Sequence, residues 1–243
     1  MAEPSIAVVF ASIGRPSLEW TLDSIAQQGL RDGDEVIVVR DAFEDPDDRM
    51  RISDRVEAYG PRFRCNAHDA GYHYYGIEQI NVGFQQAGAD YVFALSDDDV
   101  YCDGALGRLR SVCAAHLGRP VLFRFLSPWR AILWDLPRLR RSNISGQCIA
   151  VPRQYLRPMS TEHRLEVDYE WLAAIVADAQ ADGRPPVWCE DVAVITRPEL
   201  RDGKPTTQGV LQCASCNRVI YREDSDAASR CCLCARFKRG AAA

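Results

Sequence analysis

Three consecutive carboxylates, Asp97-Asp98-Asp99, follow directly on the apolar run Tyr91-Val92-Phe93-Ala94-Leu95. The run suits a packed strand, since β-branched and aromatic residues fit a pleated surface. No core accounts for the carboxylates, which repel one another and each prefer water. Ligands of open α/β sheets gather outside the carboxyl ends of strands, and a hard divalent cation takes oxygen ligands. Asp97 and Asp99 flank one residue, so both can bend toward one ion if the strand ends in a turn. The alternative is a solvated acidic turn capping a helix that starts near Asp103. A second chemical group lies near the C-terminus. Cys213-x2-Cys216 and Cys231-x2-Cys234 are separated by 14 residues, the pattern of a tetrahedral Zn²⁺ held by four thiolates. Cys232 is a spare that can replace Cys231, and disulfides are the alternative to zinc. Cys65, Cys102, Cys113, Cys148 and Cys189 stand singly and read as core residues.

The elements that must position these groups follow from periodicity. Residues 5–11, 34–39, 62–67 and 91–95 are short apolar or β-rich runs, predicted as strands. Between them, helices are predicted from Ser17 as N-cap, over 49–59, and over 77–87. Strand alternating with helix implies a parallel sheet with crossover helices. Further on, 103–117 is predicted as a helix, 120–126 and 142–151 as strands, 130–135 as a strand or a helical turn, 166–182 as a helix and 187–196 as the last strand. Gly146 interrupts the 142–151 strand, where a ligand or backbone can approach closely.

Charge is unevenly distributed. Residues 1–118 carry a net charge of −10, and 119–164 a net of +7 from nine arginines against Asp135 and Glu162. Surfaces of opposite character are expected. The start Met1-Ala2-Glu3-Pro4 lacks the basic and apolar regions of a secretory signal. No apolar run reaches membrane-spanning length. A cytoplasmic protein is the expectation, and a reducing compartment favours zinc over disulfides.

With these residues in view, the chain resembles a family 2 glycosyltransferase of the GT-A fold. The resemblance rests on Ala11-Ser12-Ile13-Gly14-Arg15-Pro16-Ser17-Leu18 with Leu22-Asp23-Ser24-Ile25-Ala26-Gln27-Gln28, on Asp34-Glu35-Val36-Ile37-Val38-Val39-Arg40-Asp41, on Asn81-Val82-Gly83 ahead of Ala87-Gly88-Ala89-Asp90-Tyr91-Val92, and on Asp97-Asp98-Asp99. It covers 5–104 in order and spacing, and more loosely extends to 196. The family's Asn-Gly-Ser after strand two is here Arg40-Asp41-Ala42.

The resemblance implies an α/β, mostly parallel GT-A sheet over 1–204. Residues 1–104 would form the nucleotide-sugar half and 105–204 the acceptor half, with a zinc-ribbon or knuckle-like appendage over 205–243. It implies a nucleotide-sugar donor, usually a UDP-sugar, held by Ser12, Asp41, Asp97 and Asp98; Arg15 and Gln79 are further candidate donor contacts, with a surface arginine and a capping or packing glutamine as the plainer readings. It also implies Mn²⁺ or Mg²⁺ on Asp97 and Asp99, with inverting transfer to an acceptor hydroxyl. Asp168 matches the family's catalytic base, with Glu166, Glu170 and Asp191 as rivals; an N-cap role is the plainer reading of Asp168. Gly146 and Gln147 are candidates for the acceptor pocket. Asn81 is a candidate donor contact or a packing residue, and His163 a candidate further metal ligand. His68 and His73 read as loop residues. The Arg-rich 119–164 block, interleaved with aromatics, suits a nucleic-acid acceptor, such as a modified base in DNA of the kind viral hypermodifying transferases use. A protein or glycan acceptor, a nucleotidyltransferase, and a non-catalytic nucleic-acid-binding protein are the alternatives.

Overall fold

The computed structural model describes residues 3–41, 46–68, 76–127, 132–134, 136–162 and 166–197, together with the backbone of a few short strands beyond. The first half alternates as expected: β1 (Ile6–Ser12), α1 (Ser17–Ala26), β2 (Glu35–Asp41), α2 (Pro46–Glu57), β3 (Phe63–His68), α3 (Ile77–Gln86) and β4 (Tyr91–Ser96). The second half comprises β5 (Asp99–Tyr101), α4 (Ala105–Ala115), β6 (Val121–Leu126), β7 (Ile132–Leu133), β8 (Ile149–Pro152), α5 (Val167–Ala181) and β9 (Val187–Thr196). These strands form one sheet in the order β3-β2-β1-β4-β8-β6-β9-β5, with β7 paired to β6.

β3, β2, β1 and β4 are mutually parallel. β8 then runs antiparallel to both β4 and β6, while β6 and β9 pair in parallel. All seven residues of β1 are buried, as a central strand covered on both faces requires. Helix α1 buries Leu18, Thr21, Leu22 and Ile25, a single helical stripe. Helix α3 lies close against β1 because residue 83 is glycine. A Cβ there would come within 2.3 Å of Val9 Cγ1.

Two local expectations are corrected. Ser17 is the first helical residue of α1, and Pro16 occupies the cap position with φ −56°, a value its ring enforces. Residues 142–151 are not one strand. Gly146–Cys148 forms a 3-10 turn, closed by the Cys148 N–H on the Ser145 carbonyl, and only Ile149–Pro152 is extended.

One buried ion pair ties the layers together below the sheet. Arg110 of α4 donates to both carboxylate oxygens of Asp34, at 2.9 and 2.6 Å, and to the Pro4 carbonyl at 2.8 Å. Asp34 also accepts the N–H groups of Ile6 and Arg31. Burial pushes the Asp34 carboxyl up, but the Arg110 and backbone hydrogen bonds more than offset it and hold it below its ordinary value. Removing one member of such a pair strands a buried charge. Arg110→Ala is therefore expected to lower stability by about 3–5 kcal/mol in chemical denaturation. The depressed pKa means that stability is present above the ordinary carboxylate range and is lost as pH falls through the folded pKa. Acid unfolding should accordingly begin at higher pH in Arg110→Ala than in the wild type.

Beyond β9, Leu200–Arg201 pairs with Lys204–Pro205 and Val210–Gln212 with Val219–Tyr221, both antiparallel. No helix among the described residues is long and apolar enough to cross a membrane.

Candidate functional site

The chain folds outward from β1 in two directions: β2 and β3 add on one side, then the crossover through α3 places β4 on the other. The crevice above the carboxyl ends of β1 and β4 is thus the sheet's topological switch point, where open α/β sheets bind ligands. Ser12 ends β1, Asp41 ends β2 and Ser96 ends β4, so the sheet brings the sequence-predicted donor residues to one edge. The Asp41 backbone pairs with His68; its side chain lies outside the described residues.

The three carboxylates divide by exposure. Asp97 is 1% exposed and accepts from the Ser12 hydroxyl at 3.0 Å and from Arg15 Nη1 at 3.2 Å. The Gly14 N–H donates to the same Ser12 oxygen, so the loop after β1 is pinned to the carboxylate turn. Asp99 is fully buried because β5 pairs it with Thr196 of β9. Its Oδ2 accepts the Ser96 N–H at 2.8 Å. Its Oδ1 makes no hydrogen bond; the nearby Thr196 hydroxyl favours the charged form without meeting hydrogen-bond geometry. Two side chains of α1 and one just beyond its end fasten β5 and the residue after it: the Thr21 hydroxyl donates to the Asp99 carbonyl, the Ser24 hydroxyl accepts the Tyr101 N–H, and Gln28 donates to the Cys102 carbonyl. Asp98 is the most open of the three, its side chain 15% exposed.

Burial pushes the Asp97 carboxyl up against the pull of Arg15 and Ser12, and pushes Asp99 up to about 7. Repulsion from the neighbouring carboxylates adds to the effect of burial at both. Among the described residues no group of three or more His, Cys, Asp or Glu could hold a metal ion by itself. Mg²⁺-like ions, however, are commonly held by one or two carboxylates plus substrate phosphates. The open Asp98 carboxylate, the unbonded Asp99 Oδ1 and the raised carboxyls fit such a donor-completed cation.

Sequence reasoning missed Arg197. It follows β9, is exposed and has φ +47°, a conformation costly for a non-glycine residue. Its N–H donates to the Asp98 carbonyl and its Nε to Asp98 Oδ2, both at 2.8 Å. The only signal in the sequence was a basic residue at the end of the last strand. The antiparallel β5–β9 register, which brings it to Asp98, was not legible there.

Among the residues expected to meet the acceptor, the Gly146 N–H donates to Asp168 Oδ2 at 3.0 Å, and the Ser145 hydroxyl lies 3.1 Å from the same oxygen. Asp168 is in the first turn of α5 and does not cap it; the cap position is Glu166. Gln147 contacts Ser145 and donates to the Ser96 hydroxyl at 3.0 Å. A chain of polar contacts thus runs from the end of β4 to Asp168. A Cβ at Gly146 would meet Met159 Cε at 3.3 Å and Asp168 Oδ1 at 3.4 Å, so glycine leaves room for the carboxylate. Asn81 exchanges two hydrogen bonds with the Met159 backbone and braces this segment against α3.

Other candidates fall elsewhere. Gln79 is 0% exposed, its side chain turned into the core. Glu166 pairs with Arg141 at 2.5 Å, and Asp191 with Arg108 at 3.7 Å. His68 lies 4.0 Å from Glu78. His73, His163 and the four predicted zinc ligands Cys213, Cys216, Cys231 and Cys234 lie outside the described residues. The single cysteines carry free thiols, and burial pushes Cys102 and Cys113 up to about 12.

Among the described residues, the arginines of the 119–164 block lie in different surroundings. Arg124 is buried, 4.6 Å over the Trp134 ring. Arg119 binds the Pro185 carbonyl, Arg153 the Gly88 carbonyl, and Arg157 pairs with Asp178. Arg138, Arg140 and Arg141 are exposed together.

No protein-family model matches the chain, and no curated protein does. Among solved structures, S. aureus TarS matches with a TM-score of 0.61 at 13% identity, covering 79% of this chain and 36% of that one. TarS residues 1–349 in complex with UDP-GlcNAc match at 0.58 and 13%, over 87% and 63%. The mannosyltransferase PcManGT from Pyrobaculum calidifontis, in complex with GDP-Man and Mn²⁺, matches at 0.58 and 18%, over 83% and 59%. At these identities the likeness shows the fold, and that fold is GT-A. The chain spans less than two thirds of each of these structures.

Proposed function

We propose that the chain is a cation-dependent glycosyltransferase that moves a sugar from a nucleotide-sugar to an acceptor hydroxyl with inversion. The observation that carries this reading is the polar connection from the Asp97-Asp98-Asp99 turn, through Ser96, Gln147 and Ser145, to Asp168. It joins a diphosphate-binding edge to a base held a short span away. The fold likeness to proteins solved with UDP-GlcNAc or with GDP-Man and Mn²⁺ supports the donor class.

In this reading Asp41 and the loop Ser12–Arg15 hold the nucleotide, and Mn²⁺ or Mg²⁺, expected from the sequence on Asp97 and Asp99, sits instead on Asp98, the most open of the three, with Asp97 and Asp99 behind it. When bound, that cation offsets the charge gained by the leaving diphosphate. The Gly146 N–H fixes Asp168 Oδ2, leaving Oδ1 to take the acceptor proton. The acceptor oxygen then bonds to the anomeric carbon as the carbon–diphosphate bond breaks, from the opposite face.

The donor is tested by thermal shift across UDP- and GDP-sugars with and without Mn²⁺. Stabilisation by a nucleotide-sugar only in Mn²⁺ is expected. Stabilisation by a nucleoside triphosphate and a sugar phosphate instead would favour the nucleotidyltransferase reading.

For the acceptor we propose a nucleic acid. The exposed Arg138, Arg140 and Arg141 support it, because Arg141 reaches Glu166 and lies 5.6 Å over Tyr169, beside Asp168. Phosphate contacts predict DNA affinity that falls steeply with salt. Absence of binding at low salt would leave a protein or glycan acceptor.

The cysteine-rich segment is proposed to hold one structural Zn²⁺. The connection of the Val210–Gln212/Val219–Tyr221 hairpin carries Cys213 and Cys216. Elemental analysis is expected to find about one zinc per chain, by the four-thiolate count; mapped disulfides among the four cysteines would refute it.

A further inference from the structure

Arg197 and Arg15 approach Asp98 from two sides of the crevice. Arg197 reaches Asp98 Oδ2 at 2.8 Å, and Arg15 Nη1 lies 3.7 Å from the same oxygen and 3.2 Å from Asp97. Both arginine side chains are substantially exposed, at 63% and 39%, so either can leave without opening the core. Asp98 is held where it is by the Arg197 N–H on its carbonyl as well. The carboxylate most open to a cation is therefore already taken by two guanidinium groups.

We propose that Arg197 and Arg15 form a latch on Asp98 which the cation and the donor diphosphate open only together. This rests on the nucleotide-sugar reading of the same site. A cation arriving alone must displace a charge-assisted hydrogen bond and finds too few protein ligands, since no group of three exists among the described residues. A diphosphate arriving alone meets three carboxylates. When both arrive, the cation takes Asp98 and the phosphate oxygens take the guanidiniums, whose planar fork suits phosphate as well as carboxylate. Asp98 and the two guanidiniums each exchange one charged partner for another, and Asp97, which gives up Arg15, keeps the Ser12 hydroxyl. The exposed position of Arg197 at the end of β9 gives its side chain the freedom to make that swing.

The latch predicts effects of opposite sign from one substitution. The full chain is titrated with Mn²⁺ alone, following the free-ion resonance, and with UDP at saturating Mn²⁺. Mn²⁺ is a hard ion and is not drawn to the thiolates. Arg197→Ala is expected to bind Mn²⁺ alone about tenfold more tightly than wild type, the worth of one charge-assisted hydrogen bond, and to bind UDP in Mn²⁺ about tenfold more weakly. Arg197→Lys should fall between in both. Damage to the fold would weaken both, so it cannot imitate this pattern. Equal Mn²⁺ affinity in wild type and Arg197→Ala, with UDP still binding in Mn²⁺, would overturn the latch and leave the nucleotide-sugar reading standing. GDP replaces UDP throughout if UDP does not bind; failure of both UDP and GDP to bind wild type in Mn²⁺ would overturn both.

Discussion

Asp168→Asn is expected to lower kcat by about 10²-fold or more while leaving donor affinity nearly unchanged. The substitution keeps shape and volume, and an amide oxygen can still accept the Gly146 N–H that now orients Oδ2. It removes only the capacity to take a proton. Because Asp168 is proposed to act on the acceptor, the loss should appear in turnover, with donor binding at the β1/β4 edge preserved. Steady-state kinetics together with nucleotide binding separate the two. Near-normal turnover would exclude Asp168 as base and return attention to Glu166, Glu170 and Asp191.

Asp98→Ala is expected to weaken donor binding in Mn²⁺ by at least about a hundredfold. Loss of outer-shell partners alone commonly costs 10–100-fold in metal affinity, and Asp98 is proposed as a direct ligand. Asp98 is a cleaner probe than Asp99, which is buried and fastens the turn through Ser96, so that its removal would disturb β5. It is also cleaner than Asp97, which anchors the loop after β1 through Ser12. Calorimetry with UDP in Mn²⁺ checks the effect. Undiminished binding, or full activity in excess chelator, would contradict the assignment.

The first half of the sheet was legible because its signals are local. Apolar runs, one helical stripe per crossover and glycine exits prescribe β1 to β4, and the parallel order follows from alternation. The carboxylates stood out because no core explains them. What the sequence hid is set by tertiary register. Asp97, Asp98 and Asp99 are chemically alike in sequence, yet pairing of β5 with β9 buries Asp99 and leaves Asp98 open. The same pairing delivers Arg197, ninety-nine positions away, to Asp98. Gln79 was a candidate donor contact in the sequence, but α3 buries it. The arginine block looked continuous in sequence, but the sheet sends Arg124 into the interior beside Trp134 and scatters others around the periphery. Gly146 was read as a gap in a strand; the turn it allows is what brings a backbone N–H to Asp168.

The most direct measurement is release of free nucleoside diphosphate from a panel of UDP- and GDP-sugars by the wild-type chain, with Mn²⁺ and with excess chelator. Glycosyl transfer at the β1/β4 crevice predicts slow release from one donor even without acceptor, dependent on Mn²⁺ and lost in both Asp98→Ala and Asp168→Asn. Release that persists in chelator, or that survives both substitutions, would contradict it, as would no release from any donor across the panel.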